Sequence, residues 1–154
     1  MKKYLFGLIM FLLLIVDVYA EVDLTSNAKS AILVDNLSGK VLYEKAADEK
    51  LAPASMTKLA SMLIVMEAID NNTLKFDDKV TISEEAANMG GSQIFLEAGE
   101  EYTVHDLLKG VAIASGNDAV VALAEKVGGT QEKFVEMINK RLQEIGAVNT
   151  HFVN

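Results

Sequence analysis

No cysteine occurs in these 154 residues. Disulfides, thiol nucleophiles and zinc–thiolate sites are therefore excluded, and an exported chain of this kind must be held by its core alone. Histidine is scarce. His105 and His151 lie far apart and lack ligand spacing, so the sequence offers no metal-ligand set. Basic charge is also short: 14 Lys and Arg stand against 22 Asp and Glu, a net charge of −8. A surface of that sign repels a phosphate backbone and excludes nucleic acid as the expected partner. Proline occurs once, at Pro53. No internal repeat and no low-complexity segment interrupts the chain.

Long apolar runs are confined to two places. The first follows Met1-Lys2-Lys3 and extends from Tyr4 to Val16, with Val18-Tyr19-Ala20 just behind it. A basic start, an apolar centre and small residues at the end are the layout of a secretory signal, with cleavage expected before Glu21. An uncleaved anchor is the rival reading. A spanning helix needs about 20 apolar residues, and Asp17 stops this run short of that. Residues 1–20 are read as the signal and 21–154 as the exported part, long enough for one domain with its own core.

The second run follows Pro53. Proline suits the first helical turn, where the amide it lacks has no partner in any case. A helix is predicted from about Pro53 or Ala54 to Asn71-Asn72. Ser61 and Glu67 are the only polar interruptions between Leu59 and Ile69. A helix apolar on nearly every side belongs in the middle of a domain.

Elsewhere, Ser30–Val34 and Lys40–Glu44 flank the turn formers Asp35 to Gly39 and predict a hairpin. Val80–Ile82 predicts a short strand, and Ser83 before Glu84-Glu85 starts a short helix that Gly90-Gly91 ends. Thr103, with Asp106 three residues on, is a variant capping box before a helix to Ala114. Asp118–Val127 predicts another helix. Thr130 opens a last one, with Phe134, Met137, Ile138, Leu142 and Ile145 on one face. The stretch Asn149–Val153 reads as extended.

Ser55 and Lys58 are three residues apart, so on a helix they share a face. A serine hydroxyl is a weak nucleophile until a base removes its proton. A lysine amine can be that base where desolvation or nearby positive charge favours its neutral form, and a helix N-terminus supplies partial positive charge. The bland reading is a helix-cap serine beside a solvated lysine. A second Ser-x-x-Lys, Ser26 to Lys29, sits in a polar leader with no apolar helix behind it, and carries no site. Ser115-Gly116-Asn117 has two readings as well. It is either a turn between helices, made of ordinary turn residues, or a loop that presents two polar side chains to the nucleophile.

Together the two motifs resemble a known family. Pro53-Ala54-Ser55-Met56-Thr57-Lys58, with Ser115-Gly116-Asn117-Asp118-Ala119 sixty residues after Ser55, is similar to the D-alanyl-D-alanine carboxypeptidases, the low-molecular-mass penicillin-binding proteins. Gly91-Ser92-Gln93-Ile94-Phe95-Leu96, Gly99-Glu100, and Asn149-Thr150-His151-Phe152-Val153-Asn154 resemble the family's flanking stretches, as does the hairpin. The resemblance implies an α/β penicillin-binding protein/β-lactamase-like transpeptidase fold. It implies that Ser55 is the nucleophile towards peptidoglycan stem peptides ending in D-Ala-D-Ala and that Lys58 is the general base. By the same resemblance Ser115 relays a proton and Asn117 orients Lys58 and the acyl side chain. β-Lactam antibiotics would be covalent inhibitors. No metal or organic cofactor is implied. The expected location is the periplasm or the outer face of a bacterial membrane.

The family's third motif, Lys-Thr/Ser-Gly on an edge strand, is not in this sequence. The expectation is an incomplete fold, an N-terminal hairpin plus a helical lobe without its closing strands. The C-terminal region that many members use for peripheral membrane attachment is missing too. A chain so cut is expected to be inactive or only marginally folded. Two alternatives remain at this stage. One is a serine β-lactamase, against which glycine in the middle of the second motif counts. The other is a non-catalytic secreted fragment.

Overall fold

Asp35 makes the first turn. Its carboxylate accepts from the backbone N–H of Ser38 at 2.7 Å and from the Ser38 hydroxyl. Gly39, at φ +69°, closes the loop by donating to Asp35 O. The strands on either side are β1 (Ala31–Val34) and β2 (Val41–Lys45), antiparallel, with Ala31 opposite Lys45 and a register shift between Leu33 and Val34. Asp23 fastens the leader to β2 by accepting from Tyr43 Oη at 3.1 Å and Lys45 Nζ at 2.9 Å. Lys45 is the chief reason its carboxyl is held below the usual carboxylate range. Ile32, Leu33, Val34, Val41 and Leu42 are exposed. Consecutive apolar residues point to opposite faces of a strand, so this ribbon is apolar on both.

The computed structural model describes residues 23–153. The predicted signal and its cleavage point lie outside them, as does Asn154. Two compact units divide between Leu51 and Ala52. The hairpin belongs to the first. Among the described residues no helix is long and apolar enough to cross a membrane.

The second unit begins with a 3-10 turn, Ala54–Met56, that runs straight into α1 (Thr57–Asp70). After it come β3 (Lys79–Thr81), α2 (Glu84–Ala87), β4 (Glu101–Thr103), α3 (Val104–Ala114), α4 (Asn117–Gly128) and α5 (Gln131–Glu144). β3 and β4 pair antiparallel, Val80 opposite Tyr102, as a second two-stranded sheet. Three predicted caps are in place. The hydroxyl of Ser83 accepts from Ala86 N, that of Thr103 from Asp106 N and that of Thr130 from Lys133 N. Each satisfies an amide that the first helical turn leaves without an intrahelical partner.

The middle of this unit is α4, not α1. α4 packs against α1, α2, α3, α5 and β3. Ala119, Ala122 and Ala124 are buried along it, and such small side chains let several neighbours approach one axis. α1 buries only Ser61, Ile64 and Val65, while Leu59, Leu63 and Met66 are exposed along a stripe that Met56 begins. The all-round burial expected of α1 is thus absent in this chain. On α5 the buried residues are Phe134, Ile138 and Leu142, four apart. Met137 and Ile145, expected on the same face, are exposed. Gly128 lets α5 begin close by, because a Cβ there would meet Phe134 N at 2.8 Å. The Asn139 side chain pairs with both backbone groups of Phe152, donating to O at 2.7 Å and accepting from N at 2.8 Å. It anchors the last extended stretch to α5.

Candidate active site

Ser55 lies in the 3-10 turn, exposed, one residue after Ala54. Ala54 holds φ at +49°, a conformation that costs an L-residue with a Cβ about 1–2 kcal/mol. Pro53 before it sits at φ −77°. This tight entry presents Ser55 at the mouth of α1, and the first α-helical turn then carries Lys58, half-buried.

The Lys58 ammonium donates to Asn117 Oδ1 at 2.6 Å, joining the two motifs across 59 residues. An ammonium has only protons to give, so the amide oxygen faces it and the Asn117 NH₂ faces away. That NH₂ donates to Gly90 O at 2.6 Å, and the Asn117 backbone N–H donates to Ser92 O at 2.7 Å. Gly91 lies between those acceptors at φ +84°, and a Cβ there would stand 2.8 Å from Asn117 Nδ2. Among the described residues no hydrogen bond joins Ser55 to Lys58.

Ser115 ends α3 in the left-handed region, φ 56° and ψ 36°. Its hydroxyl oxygen is buried and has no hydrogen-bond partner among the described residues. Buried hydroxyls are normally paired, and strained or orphaned ones gather at functional sites. Ser115-Gly116-Asn117 is a turn between α3 and α4, and it carries Asn117 to Lys58.

A cleft of about 390 Å³ lies among α1, α4 and α5. Its lining is polar at Ser55, Lys58 and Asn117 and apolar at Val121, Phe134 and Ile138. Ser115 is not among its lining residues. The polar part can hold a carbonyl compound near a hydroxyl, an amine and an amide, which is the set that nucleophilic acyl transfer requires.

The sequence reading missed the part played by Asp118, which appears there only as the first residue of a predicted helix and as part of the second motif. Its carboxylate is fully buried and accepts from the backbone N–H groups of Ile94, Leu96 and Ala119. An acidic residue two places beyond a glycine, at the head of an apolar helix, was the one available signal. The second Ser-x-x-Lys copy lies in the leader with Ser26 and Lys29 both exposed. His105 stacks edge-on against Phe76 at 5.8 Å. No group of three or more His, Asp or Glu among the described residues could hold a metal ion.

The fold is that of the penicillin-binding proteins, and the chain belongs to the D-alanyl-D-alanine carboxypeptidase family, whose model matches residues 17–154. Over 132 residues it is 58% identical to the D-alanyl-D-alanine carboxypeptidase DacF of Bacillus subtilis (strain 168), an overlap of 86% of this chain and 34% of that protein. It is 44% identical to DacC of Escherichia coli (strain K12), covering 82% of this chain and 33% of that one. The crystal structure of DacD from Francisella tularensis superposes with a TM-score of 0.83 at 38% identity, covering 86% of this chain and 32% of that one. The chain therefore spans about a third of the length of these relatives, and over that third its fold is theirs.

Proposed function

We propose that these residues carry the acylating half of a D-Ala-D-Ala carboxypeptidase site. Ser55 Oγ attacks the carbonyl between the two terminal D-alanines of a peptidoglycan stem peptide. Lys58, in its amine form, takes the hydroxyl proton. Ser115 passes a proton to the departing D-alanine nitrogen as the C–N bond breaks, leaving an ester on Ser55. Water then hydrolyses the ester, freeing the shortened peptide and restoring the hydroxyl. Asn117 orients Lys58 and the acyl side chain. β-Lactams would acylate the same oxygen, and no cofactor takes part. Residues 1–20 would direct export to the periplasm or the outer face of the membrane.

The observation that carries this reading is the 2.6 Å contact of Lys58 with Asn117, in the cleft that Ser55 also lines. Two motifs that are each ambiguous alone are joined by that contact, which supports the reading.

The third motif of the family is absent from this sequence, and loss of one oxyanion donor costs on the order of 10²–10³ in rate. The 154-residue chain is therefore expected to release D-alanine far more slowly than its full-length relatives. The test is prolonged incubation with fluorescent penicillin, followed by mass analysis of the intact chain and peptide mapping. A lasting adduct on Ser55 that Ser55→Ala abolishes is the expected result. Rapid penicillin turnover without an adduct would instead favour the β-lactamase alternative. A folded chain never labelled at Ser55 would leave only a non-catalytic role. D-Ala release at family-like rates, lost in Ser55→Ala, would overturn the expected impairment.

A further inference from the structure

We propose that Asp118 is a positioning residue for this site. Its buried carboxylate fastens residues 92–96 to the N-terminus of α4, and that attachment fixes the Asn117 side chain that holds Lys58. The inference rests on the acyl-enzyme reading above for its purpose, though not for its geometry.

A fully buried carboxylate is expensive unless its lone pairs are filled. Asp118 fills them with backbone N–H groups. Ile94 N donates at 3.2 Å to Oδ1 and 3.0 Å to Oδ2, Leu96 N at 3.2 Å to Oδ2, and Ala119 N at 2.8 Å to Oδ1. The first helical turn of α4 adds partial positive charge at the same place. Ile94 and Leu96 belong to a stretch without regular structure, in which Phe95 holds φ at +61°. A strand ladder would fix such a stretch by backbone pairing. Here one side chain supplies the acceptors.

The same stretch touches Asn117 from the other side. Asn117 N reaches Ser92 O at 2.7 Å and Asn117 Nδ2 reaches Gly90 O at 2.6 Å. The neighbours Asn117 and Asp118 therefore grip one segment in opposite senses. Asn117 donates to its start, and Asp118 accepts from its end. If the carboxylate lets go, Asn117 makes the only remaining hydrogen bonds from α4 to residues 90–96 among the described residues, and the amide follows a loosened segment instead of staying on Lys58.

Gly116 provides independent support. It sits at φ −62° and ψ 121°, which any residue can adopt, so conformational freedom does not explain it. Space does. A Cβ at 116 would lie 2.8 Å from Asp118 Oδ1. The glycine in the middle of the motif leaves room for the folded-back carboxylate.

The test uses the intact chain and three variants: Asp118→Asn, Gly116→Ala and, as a control, Arg141→Ala. Arg141 ties α5 to Glu67 of α1 by a 2.8 Å ion pair, nine residues along α1 from Lys58, so its loss weakens helix packing without touching the segment. Amide hydrogen exchange and the Asn117 side-chain resonances report the geometry. The rate constant and endpoint of Ser55 labelling by fluorescent penicillin report the consequence.

In the unmodified chain, Ile94 and Leu96 amides are expected to exchange together and slowly, although they lie outside any helix or strand. In Asp118→Asn and Gly116→Ala that protection falls, the Asn117 amide resonances move, and the labelling rate constant falls ten-fold or more. The labelled endpoint stays the same. Arg141→Ala lowers thermal stability and leaves rate constant and resonances alone. Destabilisation alone lowers the labelled fraction, not the rate constant of the folded fraction. Free exchange of Ile94 and Leu96 in the unmodified chain overturns the proposal, even if Asp118→Asn fails to fold. So do unmoved Asn117 resonances in a folded Gly116→Ala chain. If the unmodified chain is never labelled, the acyl-enzyme reading fails, and exchange and resonances still decide whether Asp118 sets Asn117.

Discussion

Gly91 and Gly39 both hold positive φ, +84° and +69°, and differ in what a methyl group would meet. At 39 the space is open, and at 91 a Cβ would stand 2.8 Å from Asn117 Nδ2. Alanine at either position pays the left-handed strain of about 1–2 kcal/mol. That loss lowers the melting temperature by a few degrees or more in a domain of this size. Only Gly91→Ala also displaces Asn117, so only it is expected to slow penicillin labelling of Ser55. Parallel melting curves and labelling time courses on the two variants check this. Equal labelling rates would show that Asn117 does not govern Lys58. At this scale the sequence conveyed which residue types have chemistry to offer. That Asn117 orients Lys58 came from the resemblance; residue types and spacing could not convey it, because it depends on where Gly90 and Ser92 cross the head of α4.

Three helices start where the side chains say they should. Ser83, Thr103 and Thr130 all accept from the amide three residues on, and the hairpin turn uses Asp35 and Gly39 as expected. These are local effects, settled within a few residues, and so they are legible. β4 was not. Glu101, Tyr102 and Thr103 pair with β3 over only three residues, too few to show an alternation of burial. The burial of α1 was misjudged for a different reason. Apolar composition shows what a helix can bury, and its neighbours decide what it does bury. The Thr103 cap carries its own prediction. The Thr103 hydroxyl donates to Asp106 at 2.6 Å and is the main reason the Asp106 carboxyl is held below its ordinary value of 3.8. A carboxyl lowered by folding stabilises the fold above its unfolded pKa, and that contribution is lost as pH falls through the lowered folded value. Asp106 is exposed, so solvent screening keeps this part small. Thr103→Ala is expected to cost about 1 kcal/mol at neutral pH through loss of the cap. Its stability should then decline less steeply between pH 3.8 and the acid extreme than that of the unmodified chain. A steeper acid decline in melting temperature would contradict this assignment.

The second unit is organised about a helix that touches nearly everything else in it. α3, α4 and α5 are contiguous in sequence, so their mutual contacts close short loops. The Lys58–Asn117 contact closes one of 59 residues. Loop closure costs more as the loop lengthens, and contacts distant in sequence are the slow ones to make. The order of events follows. The α3–α4–α5 cluster is expected to form first, and α1 to bring Lys58 to Asn117 later. Unfolding by small steps reverses that order. With rising urea, loss of Ser55 labelling is therefore expected at lower concentration than loss of far-ultraviolet helical signal, and coincident transitions would count against it. The Lys58–Asn117 hydrogen bond, like the Glu67–Arg141 ion pair that closes 74 residues, is thus expected among the late contacts. On the proposed function, reactivity towards penicillin would then gauge whether folding has reached its final steps.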